Sequence, residues 1–439
     1  MKLQNELIKN ESLSNADDVG KVFTYEGHIY RGIYINNCEN IREMFDSGLI
    51  EELIKKRLIP NTWITDLYTD EYPLIIESER ISPVTYYLEW PAEQICDAGQ
   101  LVLEISKIAW KYGYSLQDCH PYNVLYSKGK MLWCDLGSFK KNRSFPLQEY
   151  ITFYGTTIRL INKDSFYARC MMRMKHYPDI FNQLRVLCGG LVIPLFLWKV
   201  LLCVNIKIAY KLPVYEKILK KLFICRARVP KTFWSEYQDF DLDVVFEDNL
   251  DGRFTRFSRI EKIIDELKPK TVFEFAANKG ILACYLAQKE YISEYVASDY
   301  DEYAINELYK YVKKSKYLSS KKIIPLVVDF SEEHHHINLI TLDGRAKSEL
   351  VIACAVTHHL LLTQYISIDK MFEKLKNYTT RYLLVEFMPL GLWDGHNAPD
   401  IPEYYTLDWF KLHMSKYFNI KLVEQLEKNR ILLLGECNN

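Results

Sequence analysis

The chain has 439 residues, 49% of them hydrophobic and 26% charged, with a formal net charge of −1. That length allows two domains, each burying its own core, and the near-neutral balance excludes a global field drawing the protein to nucleic acid or anionic lipid. The 11 cysteines include no C-x-x-C pair, which excludes a zinc ribbon or a disulfide framework and fits a reducing compartment.

The opening residues, MKLQNELIKNESLSNADD, are polar and carry no apolar signal core, so no cleaved export signal is expected and the expected location is cytoplasmic. KVFTYEGHIYRGIYI (Lys21 to Ile35) has the Tyr, Phe and Ile content of a small antiparallel sheet, with breaks at Gly27 and Gly32. Helical pieces such as NIREMFDSGLIEELIKKRLI lie around it. Leu101, Ile105, Ile108 and Ala109 then mark one face of a helix that ends near Gly113. Beyond it Asp118 and Asn123 stand five apart, and Asp135 opens D-L-G-S after the apolar run Met131-Leu132-Trp133-Cys134.

This last arrangement resembles the C-lobe centre of protein kinases, where a catalytic Asp precedes an Asn by the same interval and a metal-binding D-F-G follows. The resemblance implies that Asp118, Asn123 and Asp135 would hold nucleotide and metal in an active enzyme. Several features depart from it. Leu116 and Gln117 stand where the kinase His and Arg would be, Leu136 replaces the Phe of D-F-G, and neither a Gly-rich loop nor an unambiguous lysine precedes them. Residues 1–147 are therefore expected to form a degenerate, kinase-like α+β region. A local reading of Asp118 and Asn123 is a D-x-H-P-x-N turn that uses both side chains to satisfy loop N–H groups.

Residues 148–233 are helical and apolar and are expected to act as a connector. Within them GGLVIPLFLWKVLLCVNI (Gly189 to Ile206) is about as long as a minimal membrane span but carries Pro194 and Lys199. A buried or interfacial helix, with peripheral membrane contact at most, is expected in place of a span. Phe254, Phe257, Ile260, Ile263, Ile264 and Leu267 follow at three-to-four spacing, an amphipathic helix stopped by Pro269.

In residues 234–439, VFEFAANKGILACYLAQ reads as a strand from Val272 to Phe275, a tight loop from Ala276 to Lys279 and a helix from Gly280. Small residues let a nucleotide-like ligand approach the backbone, and the helix N-terminus offers free N–H groups. Asp299, in VASDYDE, follows at about the distance at which a carboxylate reaches ribose hydroxyls in dinucleotide-binding βαβ units. Further strands are expected at Tyr295–Ser298, Ile323–Val328, Leu350–Cys354 and Tyr382–Phe387, with helices between them and a terminal hairpin in FNIKLVEQLEKNRILLLGE. That alternation predicts an α/β domain with a parallel, doubly wound sheet.

These residues resemble the class I S-adenosylmethionine-dependent methyltransferases, whose E/D-x-G-x-G-x-G loop stands here as Glu274-Phe275-Ala276-Ala277-Asn278-Lys279-Gly280. More narrowly, ELVIACAVTHHL and YLLVEFMP are similar to a bacterial group related to the nodulation protein NoeA, in which a methyltransferase follows a kinase-like segment. The resemblance implies a Rossmann-like, seven-stranded domain with S-adenosyl-L-methionine as cofactor. Glu274 would anchor the loop or the methionine amine, and Ala276, Asn278 and Gly280 would line the loop. Asp299 would take the ribose, and Asp329 the adenine amine with Phe330 packed on the base. Asn tolerates positive φ, so Asn278 suits a glycine position; Ala276 is the departure.

Thr357-His358-His359 sits where this fold places acceptor-facing residues, and histidine suits general base work near neutrality. One of the two is expected to face the cleft, with His358 favoured. Glu386 is the second candidate base or acceptor ligand. Trp393, Tyr404 and Tyr405 are expected to form an aromatic platform for the acceptor, and Arg345 either orients an acidic group or caps a helix. His334, His335 and His336 read as a solvated turn, and no metal is expected. The function so implied is O-methylation of a carbohydrate, glycan precursor or other hydroxylated small molecule, with no nucleic-acid partner. A bifunctional methyltransferase and kinase, and a non-catalytic cofactor-binding scaffold, are the alternatives.

Overall fold

The computed structural model describes residues 1–3, 8–10, 18–141, 145–174, 226–237, 241–246, 255–332, 340–393, 395–397 and 399–438. Gly189 to Ile206, Phe254 and the histidines at 334, 335 and 336 lie outside them. The chain forms two compact units, one from Met1–Pro230 and one from Lys231 onward.

In the first unit β1 (Lys9–Asn10), β2 (Gly20–Tyr25), β3 (His28–Ile33), β4 (Thr62–Ile64) and β5 (Leu74–Ser78) form an antiparallel sheet in the order β1-β2-β3-β5-β4. Glu26 and Gly27 close the β2–β3 turn at positive φ (50° and 84°), the conformation that matches strand twist in a two-residue hairpin. Gly32, expected to break the sheet, lies inside β3. A Cβ there would meet the Tyr72 ring at 2.3 Å, so the missing side chain makes room for an aromatic neighbour.

Helices α1 (Cys38–Asp46) and α2 (Leu49–Lys55) are one amphipathic stretch interrupted at Gly48, φ 83°. α3 (Ala92–Lys111) buries Ile95, Leu101, Val102, Ile105 and Ile108 and stops before Gly113, which is left-handed. Two short antiparallel pairs follow, β6 (Ser115–Leu116) with β9 (Phe139–Lys140) and β7 (Val124–Ser127) with β8 (Lys130–Trp133). The segments that carry Asp118, Asn123 and Asp135 connect them. Helices Leu147–Tyr150, Thr157–Ile161 and Ser165–Met174 belong to the same unit. Arg169 fixes the last of them by donating to the Leu88 and Trp90 carbonyls at 3.0 and 2.6 Å.

The second unit opens with α4 (Thr255–Leu267) and alternates β10 (Thr271–Phe275), α5 (Ile281–Leu286), β11 (Glu294–Asp299), α6 (Glu302–Lys314), β12 (Ile323–Val327), β13 (Ser348–Ala353), α7 (Thr357–Leu362), α8 (Ile368–Tyr378) and β14 (Thr379–Phe387). α9 (Leu407–Met414) and the hairpin β15 (Phe418–Glu427) and β16 (Arg430–Cys437) complete it. The strands form one sheet in the order β12-β11-β10-β13-β14-β16-β15. β10 to β14 run parallel, and β16 inserts antiparallel between β14 and β15.

Continuous apolar runs explain the central strands, because helices cover both faces of a parallel sheet. Val272, Phe273, Tyr295, Val296, Leu350, Val351, Leu383 and Leu384 are all 0% exposed. β15 alternates instead, with every second residue exposed and the others after Phe418 half-buried, as befits an edge strand bearing Lys421, Glu424 and Glu427. Among the described residues, no helix is long and apolar enough to cross a membrane.

Candidate functional site

The carboxyl ends of the parallel strands bring most of the expected residues together, as an open α/β sheet does. β10 leads into a loop in which every second residue is left-handed: Ala276 at φ +57°, Asn278 at +49° and Gly280 at +78°. Those are the three positions at which the resembled loop carries glycine. Ala276 meets the conformation at a cost of about 1–2 kcal/mol, while Asn278 tolerates it more readily. The loop is tied to β11. Asp299 Oδ2 accepts from the Asn278 N–H at 2.8 Å, the Ser298 carbonyl accepts from Ala277 N–H at 2.9 Å, and Asp299 Oδ1 accepts from Asp301 N–H at 2.9 Å. Burial pushes Asp299 up to about 6 in spite of those N–H groups.

Glu274, the penultimate residue of β10, is buried and accepts from the Tyr295 hydroxyl at 2.8 Å; burial pushes its carboxyl up to about 7. Asp329 lies just past β12, where its Oδ1 accepts from the Ser331 N–H and hydroxyl at 2.8 and 2.6 Å. Phe330 is 8% exposed, edge-on to Phe275 at 5.1 Å and under the Lys374 ammonium at 5.1 Å. Most of that ring is already committed to packing.

The loop after β13 is fixed from β14. Ala355 is left-handed (φ +52°), and its N–H donates to Glu386 Oε2 at 2.8 Å, while the Thr357 hydroxyl donates to the Glu386 carbonyl at 2.6 Å. Arg430, first residue of β16, donates to the same Oε2 at 2.8 Å. Glu386 itself is 0% exposed. His358 is buried, with Nδ1 unpartnered among the described residues, and burial, reinforced by His359 and Arg430, drives its pKa down to about 3. His359 is half-buried, with its pKa lowered by burial to a lesser extent.

A segment that the sequence did not single out crosses these loops. In the turn Phe233–Glu236, the Trp234 carbonyl accepts from Asn278 Nδ2 at 3.2 Å, and the Trp234 ring stands edge-to-face with His359 at 5.2 Å. Thr232 donates its hydroxyl to Asp301, and Tyr237 bonds to Arg430. The aromatic density of KTFWSEYQDF was the available signal. Arg430 had none, since nothing local separates it from an ordinary strand residue.

The platform expected after β14 takes a different form. Tyr405 is 3% exposed, packed on Phe387 at 4.9 Å and Trp409 at 5.8 Å, so it belongs to the core. Tyr404 is exposed on Trp409, and Trp393 lies under the Lys428 ammonium. Arg345 donates to the carbonyl of Ile340, the residue before the Thr341 N-cap, at 2.8 Å, a local contact that caps neither helix end.

In the first unit, Asn123 Nδ2 donates to Asp118 Oδ1 at 2.7 Å, and Asp135 Oδ1 accepts from the Gly137 N–H at 2.9 Å and pairs with Arg31 of β3 at 3.0 Å. Burial, then the neighbouring Asp135 carboxylate, raises Asp118 to about 6. Among the described residues no group of three or more His, Cys, Asp or Glu side chains is placed to hold a metal ion.

No family model matches the chain, and no curated protein is significantly similar to it. Solved structures are. One is a methyltransferase from Aquifex aeolicus that depends on S-adenosylmethionine, 19% identical, with 46% of this chain and 100% of that one covered and a TM-score of 0.33. Another is magnesium protoporphyrin IX methyltransferase from Synechocystis PCC 6803 with bound S-adenosylmethionine, 16% identical, covering 47% and 89%, TM-score 0.32. A third is a protein from Pyrococcus horikoshii OT3, 16% identical, covering 47% and 100%, TM-score 0.34. The first two are methyltransferases. For the present chain, strand order and register define the fold of the second unit.

Proposed function

We propose that the unit from Lys231 onward binds S-adenosylmethionine and methylates a hydroxyl group on a small molecule, with a carbohydrate or glycan precursor as the class favoured by the sequence resemblance. The observation that carries the reading is the loop after β10, left-handed at Ala276, Asn278 and Gly280 and held by Asp299. Small residues at this left-handed turn, alanine first and glycine last, let the backbone approach a bound nucleoside at the strand end.

The residues fit the group in polar chemistry as well. Each carboxylate oxygen has two lone pairs, so Asp299 retains acceptor capacity for a ribose hydroxyl beside the N–H groups of Asn278, Tyr300 and Asp301. Asp329 Oδ1 is taken up by Ser331, which leaves Oδ2 for the adenine amine. Glu274 holds the loop base against Tyr295. The cofactor, when bound, supplies an electrophilic methyl group on a good leaving group. What remains for the chain is alignment and removal of the hydroxyl proton. His359 is the better base: burial leaves His358 too weakly basic near neutrality, and His359 is the more accessible ring. Glu386 acts as a positioning residue for the Ala355–His359 loop, because its Oε2 is held by Arg430 and the loop N–H.

Calorimetric titration with S-adenosylmethionine tests the cofactor reading. Micromolar binding that weakens at least tenfold in Asp299→Ala supports it, and absence of binding overturns it. His359→Ala, with His358→Ala as its control, should abolish turnover while sparing cofactor affinity. Full activity in His359→Ala rejects the base.

A second reading rests on the first unit, where Asn123 bonds to Asp118, Asp135 pairs with Arg31, and the Asp135 carboxylate acts on Asp118. Mg-ATP binding lost in Asp135→Ala supports a bifunctional protein. If neither nucleotide nor methyl acceptor is turned over, a binding scaffold is what remains.

A further inference from the structure

α4 lays Arg256 against the same end of the sheet. Its Nη1 is buried without a hydrogen-bond partner among the described residues, 3.8 Å from Glu386 Oε2. Two further buried atoms there lack hydrogen-bond partners among the described residues: Oε1 of the fully buried Glu386, and Nδ1 of His358, which is 7% exposed. These groups share one neighbourhood. Glu386, Arg256, Glu274 and Arg430 all act electrostatically on Cys354, the residue after β13, and His358 lies four positions further on.

Buried polar atoms are ordinarily satisfied, and each one left empty is costly. The pattern of empty valences specifies what would fill them. Two guanidinium groups face a single Glu386 carboxylate, and Arg430 already holds its Oε2 at 2.8 Å. At 3.8 Å Arg256 is within ion-pair but not hydrogen-bond reach of that oxygen, so among the described residues its buried Nη1 has no hydrogen-bond acceptor, while Oε1 is an acceptor without a donor. An α-amino acid carries the complementary pair, a carboxylate for the guanidinium and an ammonium for the carboxylate oxygen.

We propose that Arg256 and Glu386 hold the amino-acid end of S-adenosylmethionine, Arg256 binding its α-carboxylate and Glu386 Oε1 accepting from its α-ammonium. This assignment rests on the cofactor reading above and adds to it residues from α4 and β14. It also moves the amine from Glu274, whose Oε2 is taken up by Tyr295, to Glu386.

Two nucleosides separate the possibilities. S-adenosylhomocysteine carries the amino-acid end, and 5′-methylthioadenosine is the same thionucleoside without it. Calorimetry on the full-length chain should show Arg256→Gln weakening S-adenosylhomocysteine by roughly tenfold to a hundredfold, the loss expected for one charge-assisted hydrogen bond, with 5′-methylthioadenosine unchanged. Arg256→Lys should recover part of the loss. Thermal melting of both variants reports on folding. An equal loss for both ligands, or no loss for S-adenosylhomocysteine, overturns the assignment. Intact affinities with impaired turnover also overturn it and move the guanidinium to an acidic acceptor. Wild-type protein that binds neither nucleoside overturns the cofactor reading, and this assignment with it.

Discussion

Two loops at neighbouring strand ends are built on one plan and anchored by opposite means. After β10 and after β13 the chain turns through a left-handed alanine, Ala276 or Ala355, and in each case a carboxylate from the adjacent strand accepts a loop N–H at 2.8 Å. Asp299 does this with N–H donors from its own and the neighbouring loop. Glu386 does it as half of a buried ion pair with Arg430. A carboxylate held by backbone donors needs only local sequence, whereas a carboxylate held by a guanidinium needs a residue from a distant strand. The first arrangement fixes its loop with N–H donors alone, and the second commits one oxygen, Oε2, to both the loop and the guanidinium.

The sharpest way to break the comparison is to remove the cation. Arg430→Leu strips the buried Glu386 of its hydrogen-bonded guanidinium, leaves it the longer ion pair to Arg256 at 3.8 Å, and should destabilise the protein by up to about 3–5 kcal/mol in urea unfolding, whereas Arg430→Leu with Glu386→Leu should recover part of the loss. A single variant as stable as wild type would show that the pair does not anchor the loop.

Next in size is a pH effect at Glu274. Its carboxyl is raised from the ordinary 4.5 to about 7, so its contribution to stability is complete below 4.5 and is lost as pH rises toward and through 7. Relative to Glu274→Gln, the wild type should lose on the order of 3 kcal/mol across that window. Parallel stability curves for the two proteins would contradict the shift.

Asp299→Asn keeps one acceptor oxygen of two, and a loss of about 1–3 kcal/mol in unfolding free energy is expected. The smallest effect belongs to the alanines. Ala276→Gly and Ala355→Gly should each stabilise by a few tenths to about 1 kcal/mol, relief of left-handed strain being partly offset by the entropy of glycine in the unfolded chain. Destabilisation by either would mean that the methyl group packs productively.

The β10 loop was legible because its signals are local: an apolar strand, small residues and a carboxylate at a fixed distance down the chain. The order of alternating strands and helices and the terminal hairpin were legible for the same reason, through periodicity. Arg430, Arg256 and Trp234 were not, because each acquires its place only when strands or segments far apart in sequence meet. Gly32 was misread as a break because its reason, the Tyr72 ring, lies forty residues away. Tyr405 was misread as a platform because a tyrosine in a loop and a tyrosine under a strand have the same sequence signature. The preference for His358 over His359 took no account of burial, which no neighbouring residue type reveals.

The pairing of Glu386 with Arg430 also sets an order of events during synthesis. Forty-four residues separate the two, so the loop bearing His358 and His359 leaves the ribosome well before the guanidinium that secures it. A nascent chain can carry the β10 loop and its Asp299 anchor while Glu386 still lacks both Arg430 and the strand β16 that pairs with β14. A chain cut short before Arg430 would therefore contain every residue of both loops and lack the guanidinium that holds the second of them.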